Sequence, residues 1–344
     1  MMRERRLLHG LFTSIFVWAL AACAGDTTPE LDADGLAKVI LQTDWYAQPE
    51  HGGFYQAKAK GFYAEEGLSV EIRPGANING IPQMVAMNRV QFAVGATESL
   101  MIHRARGIPL VSLFPYFQHD PQCVLFHPES GITRLEDLDG REVMFQPGLL
   151  YTEFMVHSMG LDLKLLPMDW SLARFLNDKE FVQQCFLTSE PVILRRQGVE
   201  PGVIAMSESG FDPYRHVYSN EAMVADQPAL VAGFIRASIK GWRDFMTNDP
   251  APAFELIMQS NPQQTLDLMQ DTLAQMKRYN LTEGDTASGE MLGQYDLARI
   301  GKVIEQLDDI GVLDRPVSVE ETIALTVLPD HLVKTAKGAT ATNE

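Results

Sequence analysis

Short apolar runs alternating with amphipathic stretches fill the first two thirds of the chain. Residues 39–43 (VILQT) form a compact apolar run that breaks at Asp44-Trp45, which predicts a strand entering a loop. Residues 53–60 follow at helical spacing and stop at Gly61. Residues 69–73 (SVEIR) alternate with period two and end at Pro74-Gly75, a strand and a turn. Residues 81–90 read as a helix and 92–95 as a short buried strand. Thr97 caps a helix that reaches Arg106 and ends on Gly107, and 108–114 is another strand. This β-α rhythm predicts a mostly parallel sheet with helices on both faces.

A second set begins near Cys123, with strands over 123–127, 142–145, 182–187 and 202–206 and helices near 151–159, 171–176 and 191–196. Beyond about Tyr218 the pattern turns wholly helical. Asp226 and Pro228 read as N-cap and first-turn proline, and Phe234, Ile235, Ile239, Trp242 and Phe245 share one helical face. Leu297, Ile300, Val303, Ile304, Leu307 and Ile310 make the stripe of a later helix. The whole predicts an α/β protein of two lobes, joined near residues 115–122 and 210–219, with a helical C-terminal part. Residues 37–117 and 219–330 are assigned to lobe I, 118–218 to lobe II, and 331–344 to a disordered tail.

The first thirty residues set the expected compartment. A basic start (Arg3, Arg5, Arg6), an apolar run over 11–22 and the sequence Leu20-Ala21-Ala22-Cys23 read as a secretory signal. The run is too short to span a bilayer core of about 30 Å as a helix. Its ending resembles the bacterial lipobox, so residues 1–22 are expected to be removed, Cys23 lipidated and 23–36 left as a polar tether. That predicts an exported, periplasmic or cell-surface protein anchored to a membrane by lipid. The two remaining cysteines, Cys123 and Cys185, sit in apolar strand-like stretches. They are expected as buried thiols, with a single bridge between them left open, because sequence does not give their separation.

Charge narrows the partners. The formal net charge is −17, and no basic stripe offsets it, so nucleic acid is a poor partner. No CxxC, HExxH, P-loop or GxSxG occurs, and the eight histidines lack metal-ligand spacing. No cofactor or metal is expected.

In open α/β sheets, ligands lie beyond the carboxyl ends of the strands. After the first strand come Asp44, Trp45 and, further on, His51. Trp45 either stacks on a flat ligand or packs under its loop, Asp44 accepts hydrogen bonds or caps that loop, and His51 either donates to ligand or anchors it. Later post-strand positions supply Asn77; Glu98 and Ser99; Tyr116; Pro147, Gly148, Tyr151 and Glu153; Trp170; and Glu190. Glu98 and Glu190 equally suit helix N-termini, where a carboxylate complements the dipole. Aromatic planes with carboxylates suit a planar heterocycle bearing amino groups, whereas sulfonate, nitrate or phosphate would need cationic donors.

A resemblance is carried by Asp44-Trp45, His51, Gly53-Phe54-Tyr55, Ala57, Gly61-Phe62-Tyr63, Glu66-Gly67-Leu68 and Val70, then by FAVG (92–95), Arg104-Ala105, Gly107-Ile108-Pro109, Gly131-Ile132, Asp137-Leu138, Gly140-Arg141, Val143 and Ser189-Glu190-Pro191. Together these residues resemble the NMT/Thi-type family of periplasmic substrate-binding proteins over roughly residues 38–245. The resemblance implies a type II periplasmic binding protein fold serving an ABC importer, with an inner-membrane permease as partner. It implies a thiamine pyrimidine precursor, of the formylaminopyrimidine or hydroxymethylpyrimidine type, as ligand. A monomer is expected. The family has Pro-Asn where this chain has Ala47-Gln48, which leaves riboflavin-like heterocycles or a sulfonate- or nitrate-type solute as alternatives. The alternative of another class is a pyrimidine-precursor synthase on the same fold. The enzymatic branch carries a cysteine-rich motif where only Cys185 stands here, and pyridoxal phosphate would need a lysine that the post-strand loops lack. No enzymatic activity is therefore expected.

Overall fold

The structure, a computed structural model, describes residues 28–75, 80–169 and 171–335. The expected signal segment, lipidation at Cys23, Asn77, Trp170 and the chain after 335 lie outside the described residues. No helix among the described residues is long and apolar enough to cross a membrane.

Two five-stranded sheets form the frame. In the first, β1 (Ala37–Gln42), β2 (Leu68–Arg73), β3 (Phe92–Ala96), β4 (Leu110–Phe117) and β10 (Arg215–Asn220) take the order β2-β1-β3-β10-β4. In the second, β5 (Gln122–Phe126), β6 (Glu142–Met144), β7 (Lys164–Leu166), β8 (Val182–Phe186) and β9 (Gly202–Ala205) take the order β7-β6-β8-β5-β9. β1 is parallel to β2 and β3, while β10 is antiparallel to β3 and β4. β6 is parallel to β7 and β8, while β5 is antiparallel to β8 and β9. Each sheet is therefore parallel but for one strand, and that strand is the one the chain enters on arriving from the other sheet.

Several sequence expectations change. The second crossing is shorter than residues 210–219, because Arg215–Asn220 is hydrogen-bonded into the first sheet as β10. Val333–Lys334 pairs with Tyr295–Asp296, so ordered backbone extends into the expected tail. Gln227, not Asp226, precedes the helix Pro228–Thr247, since Asp226 closes the separate helix Glu221–Asp226.

The helix Pro228–Thr247 buries Phe234, Ile235, Ile239, Trp242, Phe245 and Met246, the face its periodicity predicts. It crosses Gly52–Ala59 at Gly53 and Gly241. A β-carbon on Gly241 would run into the Gly53 carbonyl oxygen, and one on Gly53 into the Trp242 indole. Two glycines thus let the backbones touch and seat the preceding loop, residues 44–51, at the carboxyl end of β1. Gly241→Ala is expected to destabilise the protein by about 1–3 kcal/mol through overpacking, measured by urea unfolding.

Both crossings are fastened to the C-terminal part. Arg299, on the helix Leu297–Asp309, donates to the Gln118 carbonyl at 2.6 Å and the Asp212 carbonyl at 2.8 Å, and its guanidinium lies 4.0 Å over the Tyr214 ring. His119 bridges Asp212 at 2.7 Å and Glu290 at 3.1 Å, and these two hydrogen bonds lift its pKa to about 9.

Cys123 and Cys185 are bonded as a disulfide across the antiparallel β5–β8 pair, where they stand directly opposite with their α-carbons 4.8 Å apart. The expectation of free thiols is corrected by that register. Sequence places the two residues 62 apart, and only the strand pairing brings them together.

Candidate ligand-binding cleft

A cavity of about 330 Å3 opens between the lobes. Its wall from the first sheet includes Asp44, Gly95, Glu98, Ser99 and Arg215, and its wall from the second includes Gln122, Gln146, Gly148 and Leu149. A wider depression of about 750 Å3 runs along the outer side of β1 and β2, past Lys38, Lys58 and Glu71, and takes in none of the post-strand loops. The chemistry lies in the smaller space.

Loop 43–51 is held by its backbone. The Thr43 hydroxyl and the Gly75 N–H both donate to the Trp45 carbonyl, at 2.8 and 3.1 Å, and the Asn261 amide donates to the Ala47 carbonyl at 2.9 Å. Asp44 is thereby aimed at the sheet end, where it accepts a hydrogen bond from Arg215 of β10 and another from His51 Nε2 at 3.2 Å. Burial would push the Asp44 carboxyl up, but Arg215 and His51 hold it well below the usual carboxylate range. Arg215 stays charged: burial opposes its charge, and Asp44, Tyr116 and Asp120 outweigh burial.

Two further carboxyls face this cation from a poorer position. Burial pushes Asp120 up to about 6 despite the pull of Arg215 and a hydrogen bond from the Gln122 backbone at 2.9 Å. Glu98, in the first turn of Thr97–Ala105, is buried with its Oε2 unpartnered, and burial with the nearby Asp120 pushes it up to about 8. Glu98 in the folded protein therefore keeps its proton across a range where the unfolded chain has lost it. Its contribution to stability is full below the ordinary glutamate pKa of 4.5 and fades as pH rises towards about 8. Glu98→Gln is expected to flatten the fall in melting temperature between pH 5 and 8; an unchanged slope in calorimetry rejects this role.

The sequence-predicted residues divide. Asp44, Glu98, Ser99 and Gly148 line the cavity, and Tyr116 is buried behind Arg215, its ring stacked on Trp242 at 5.4 Å. His51 orients Asp44. Pro147 is exposed beside Gly148. Tyr151 is fully buried against Phe211, at a ring separation of 5.2 Å, with its hydroxyl unpartnered. Trp45 stands 36% exposed, edge-on to Tyr46 at 5.5 Å, and is not part of the cavity wall. Glu153 turns away from the cleft, because on Leu150–His157 the buried face carries Tyr151, Thr152, Phe154 and Met155, and its carboxylate meets His157 at 3.5 Å. Glu190 accepts the Phe186 N–H at 2.8 Å and so joins strand end to helix start. Thr97 is not the cap: Ala96 holds that position, and the Thr97 hydroxyl accepts the Tyr214 N–H at 3.0 Å.

Arg215, Asp120, Gln122 and Gln146 were not singled out from sequence. Arg215 is the main correction, since a cation does stand in the cleft, although Asp44 already occupies it. The lobes also touch directly, through the Thr188 hydroxyl donating to the buried Glu50 carboxyl at 2.5 Å.

A formylaminopyrimidine-binding protein of Halalkalibacterium halodurans is 25% identical over 334 residues, covering 94% of this chain and 99% of its own. The riboflavin-binding protein RibY of Chloroflexus aurantiacus is 25% identical over 357 residues, covering 96% and 99%. The periplasmic aliphatic sulphonate binding protein SsuA of Escherichia coli superposes with a TM-score of 0.66 at 11% identity, over 83% of this chain and 91% of that one. That superposition speaks for fold alone, and the fold is the type II periplasmic binding protein architecture of two α/β lobes. Residues 48–253 match the NMT1/THI5-like family, and the chain belongs to it.

Proposed function

We propose that the chain is the solute-binding component of an ABC importer, and that its ligand is a small amino-bearing heterocycle of the thiamine pyrimidine-precursor class. The observation that carries this reading is the buried, unpartnered Glu98 oxygen on the wall of the interlobe cavity. A buried polar group without a partner is destabilising until something supplies the missing hydrogen bonds, and the amino-plus-ring-nitrogen edge of an aminopyrimidine does so, its NH2 donating to the carboxyl C=O and its ring nitrogen accepting the retained O–H. A volume of about 330 Å3 lies at the small end of ligand sites and suits one ring better than the fused rings of a flavin. Against an anion stands the pairing of Arg215 with Asp44, which leaves the cleft's cation no free charge to offer.

On this reading the lobes close over the ligand and the closed form docks on an inner-membrane permease. Residues 1–22 are removed and Cys23 carries the lipid that anchors a monomer outside the cytoplasm. The two relatives that match nearly the whole chain are named as binding proteins, which supports a carrier rather than a synthase.

Isothermal titration tests the ligand. Heat is expected with formylaminopyrimidine, less with riboflavin and none with an alkanesulfonate. Heat with the sulfonate alone overturns the assignment.

A further inference from the structure

The wall opposite Glu98 is built from amides, and their polarity follows from one fixed donor. The Gln146 backbone N–H donates to Gln184 Oε1 at 2.8 Å. A backbone N–H only donates, so the oxygen end of Gln184 is set by chemistry and its NH2 end must face the other way. That NH2 donates to Gln122 Oε1 at 2.7 Å. Gln122 in turn has its oxygen occupied, its own NH2 meets no acceptor among the described residues, and the residue lines the cavity. Its backbone N–H is spent on Asp120.

The strands make this relay rigid. In the β5–β8 register Val124 lies opposite Gln184 and Gln122 opposite Phe186, so Gln122 and Gln184 are diagonal neighbours on one face. The Cys123–Cys185 pair lies between the Gln122–Phe186 and Val124–Gln184 pairs of the ladder, and its disulfide prevents a slip of that register.

We propose that Gln122 is a specificity-determining hydrogen-bond donor of the cleft and that Gln184 is the positioning residue that holds it in that sense. This rests on the ligand class proposed above and extends it. The ligand must show an acceptor, a ring nitrogen, towards lobe II while it shows an amino donor to Glu98 on lobe I. A heterocycle with only donors on both edges meets Gln122 donor to donor and is refused.

Two measurements test it. In ligand-free protein, the scalar coupling across the hydrogen bond is expected from the Gln184 side-chain nitrogen to the Gln122 side-chain carbonyl carbon; the opposite polarity overturns the relay. Titration with formylaminopyrimidine and its two mono-deaza analogues, in which one ring nitrogen is replaced by C–H, reads the specificity. One deaza analogue is expected to bind wild type about tenfold or more weakly than the parent, as for a site that loses a hydrogen-bonding partner. In Gln122→Leu and in Gln184→Met that difference should shrink to under about threefold, with unfolding curves as the control for folding. Gln122→Glu keeps the Gln184 contact but offers the cavity an oxygen, and its preference should reverse towards the deaza ligand. Equal binding of parent and both analogues by wild type, or an undiminished ratio in Gln184→Met, overturns the proposal alone. Binding of none of the three overturns the pyrimidine reading and this proposal with it.

Discussion

Arg215→Met is expected to destabilise the protein by about 3–5 kcal/mol at pH 7, the range for removing one partner of a buried ion pair. The guanidinium is the cation that Asp44, Asp120 and Glu98 share, and the methionine chain replaces its volume without its charge. Asp44 suffers most. Burial already works against its ionised form, and Arg215 is the first of the groups that reverse the effect. Without the cation its carboxyl moves upward, as do those of Asp120 and Glu98. The variant should therefore regain stability as pH falls and these groups take up protons, opposite in sense to what the Asp44–Arg215 pair gives the wild type. Urea unfolding at pH 5 and pH 7 reads both the size and the sign. Asp44→Asn combined with Arg215→Met should recover part of the loss, since it removes the stranded charge. A loss below about 1 kcal/mol at pH 7 would show the pair to be as weak as a surface contact.

The second large effect is expected from the Cys123–Cys185 disulfide. It closes a loop of 62 residues that holds β6, β7 and two helices of the second lobe. Chain-entropy reasoning puts its contribution at about 4 kcal/mol, acting chiefly on the unfolded chain. Unfolding under reducing conditions should lower the urea midpoint accordingly, with the transition broadened if the second lobe melts first. Reduced and oxidised protein with the same midpoint would rule out a stabilising bridge. A bond of this kind persists in an oxidising compartment, in keeping with the proposed export.

Much of this molecule was legible in the sequence, and the failures have definite causes. Asp44 and Glu98 line the cavity because a residue just past a buried strand must sit at the sheet end, whichever strands pair. The helix Pro228–Thr247 was found because eleven of its residues are buried at helical spacing. Arg215 was missed because its strand pairs with β3 and β4, neighbours about a hundred residues earlier in the chain, and Val217 and Tyr218 are its only large apolar residues. The Gln122–Gln184 contact was hidden for the same reason. Glu153 was misplaced although the helical phase around Tyr151 and Phe154 already pointed it outward. Glu190 opens its helix as expected, but the nearby Phe186 N–H takes its carboxylate, and Thr97, one residue past the cap, accepts from Tyr214, a partner far along the chain that local pattern does not reveal.

Arg299 reaches both crossings from a helix that begins at Leu297. During synthesis the two sheets can assemble from residues that emerge well before that helix does. The clamp that ties both crossings forms only when the last seventh or so of the polypeptide arrives, so a chain terminated ahead of Arg299 would keep the Thr188–Glu50 contact between its formed halves but lack the brace at the hinge.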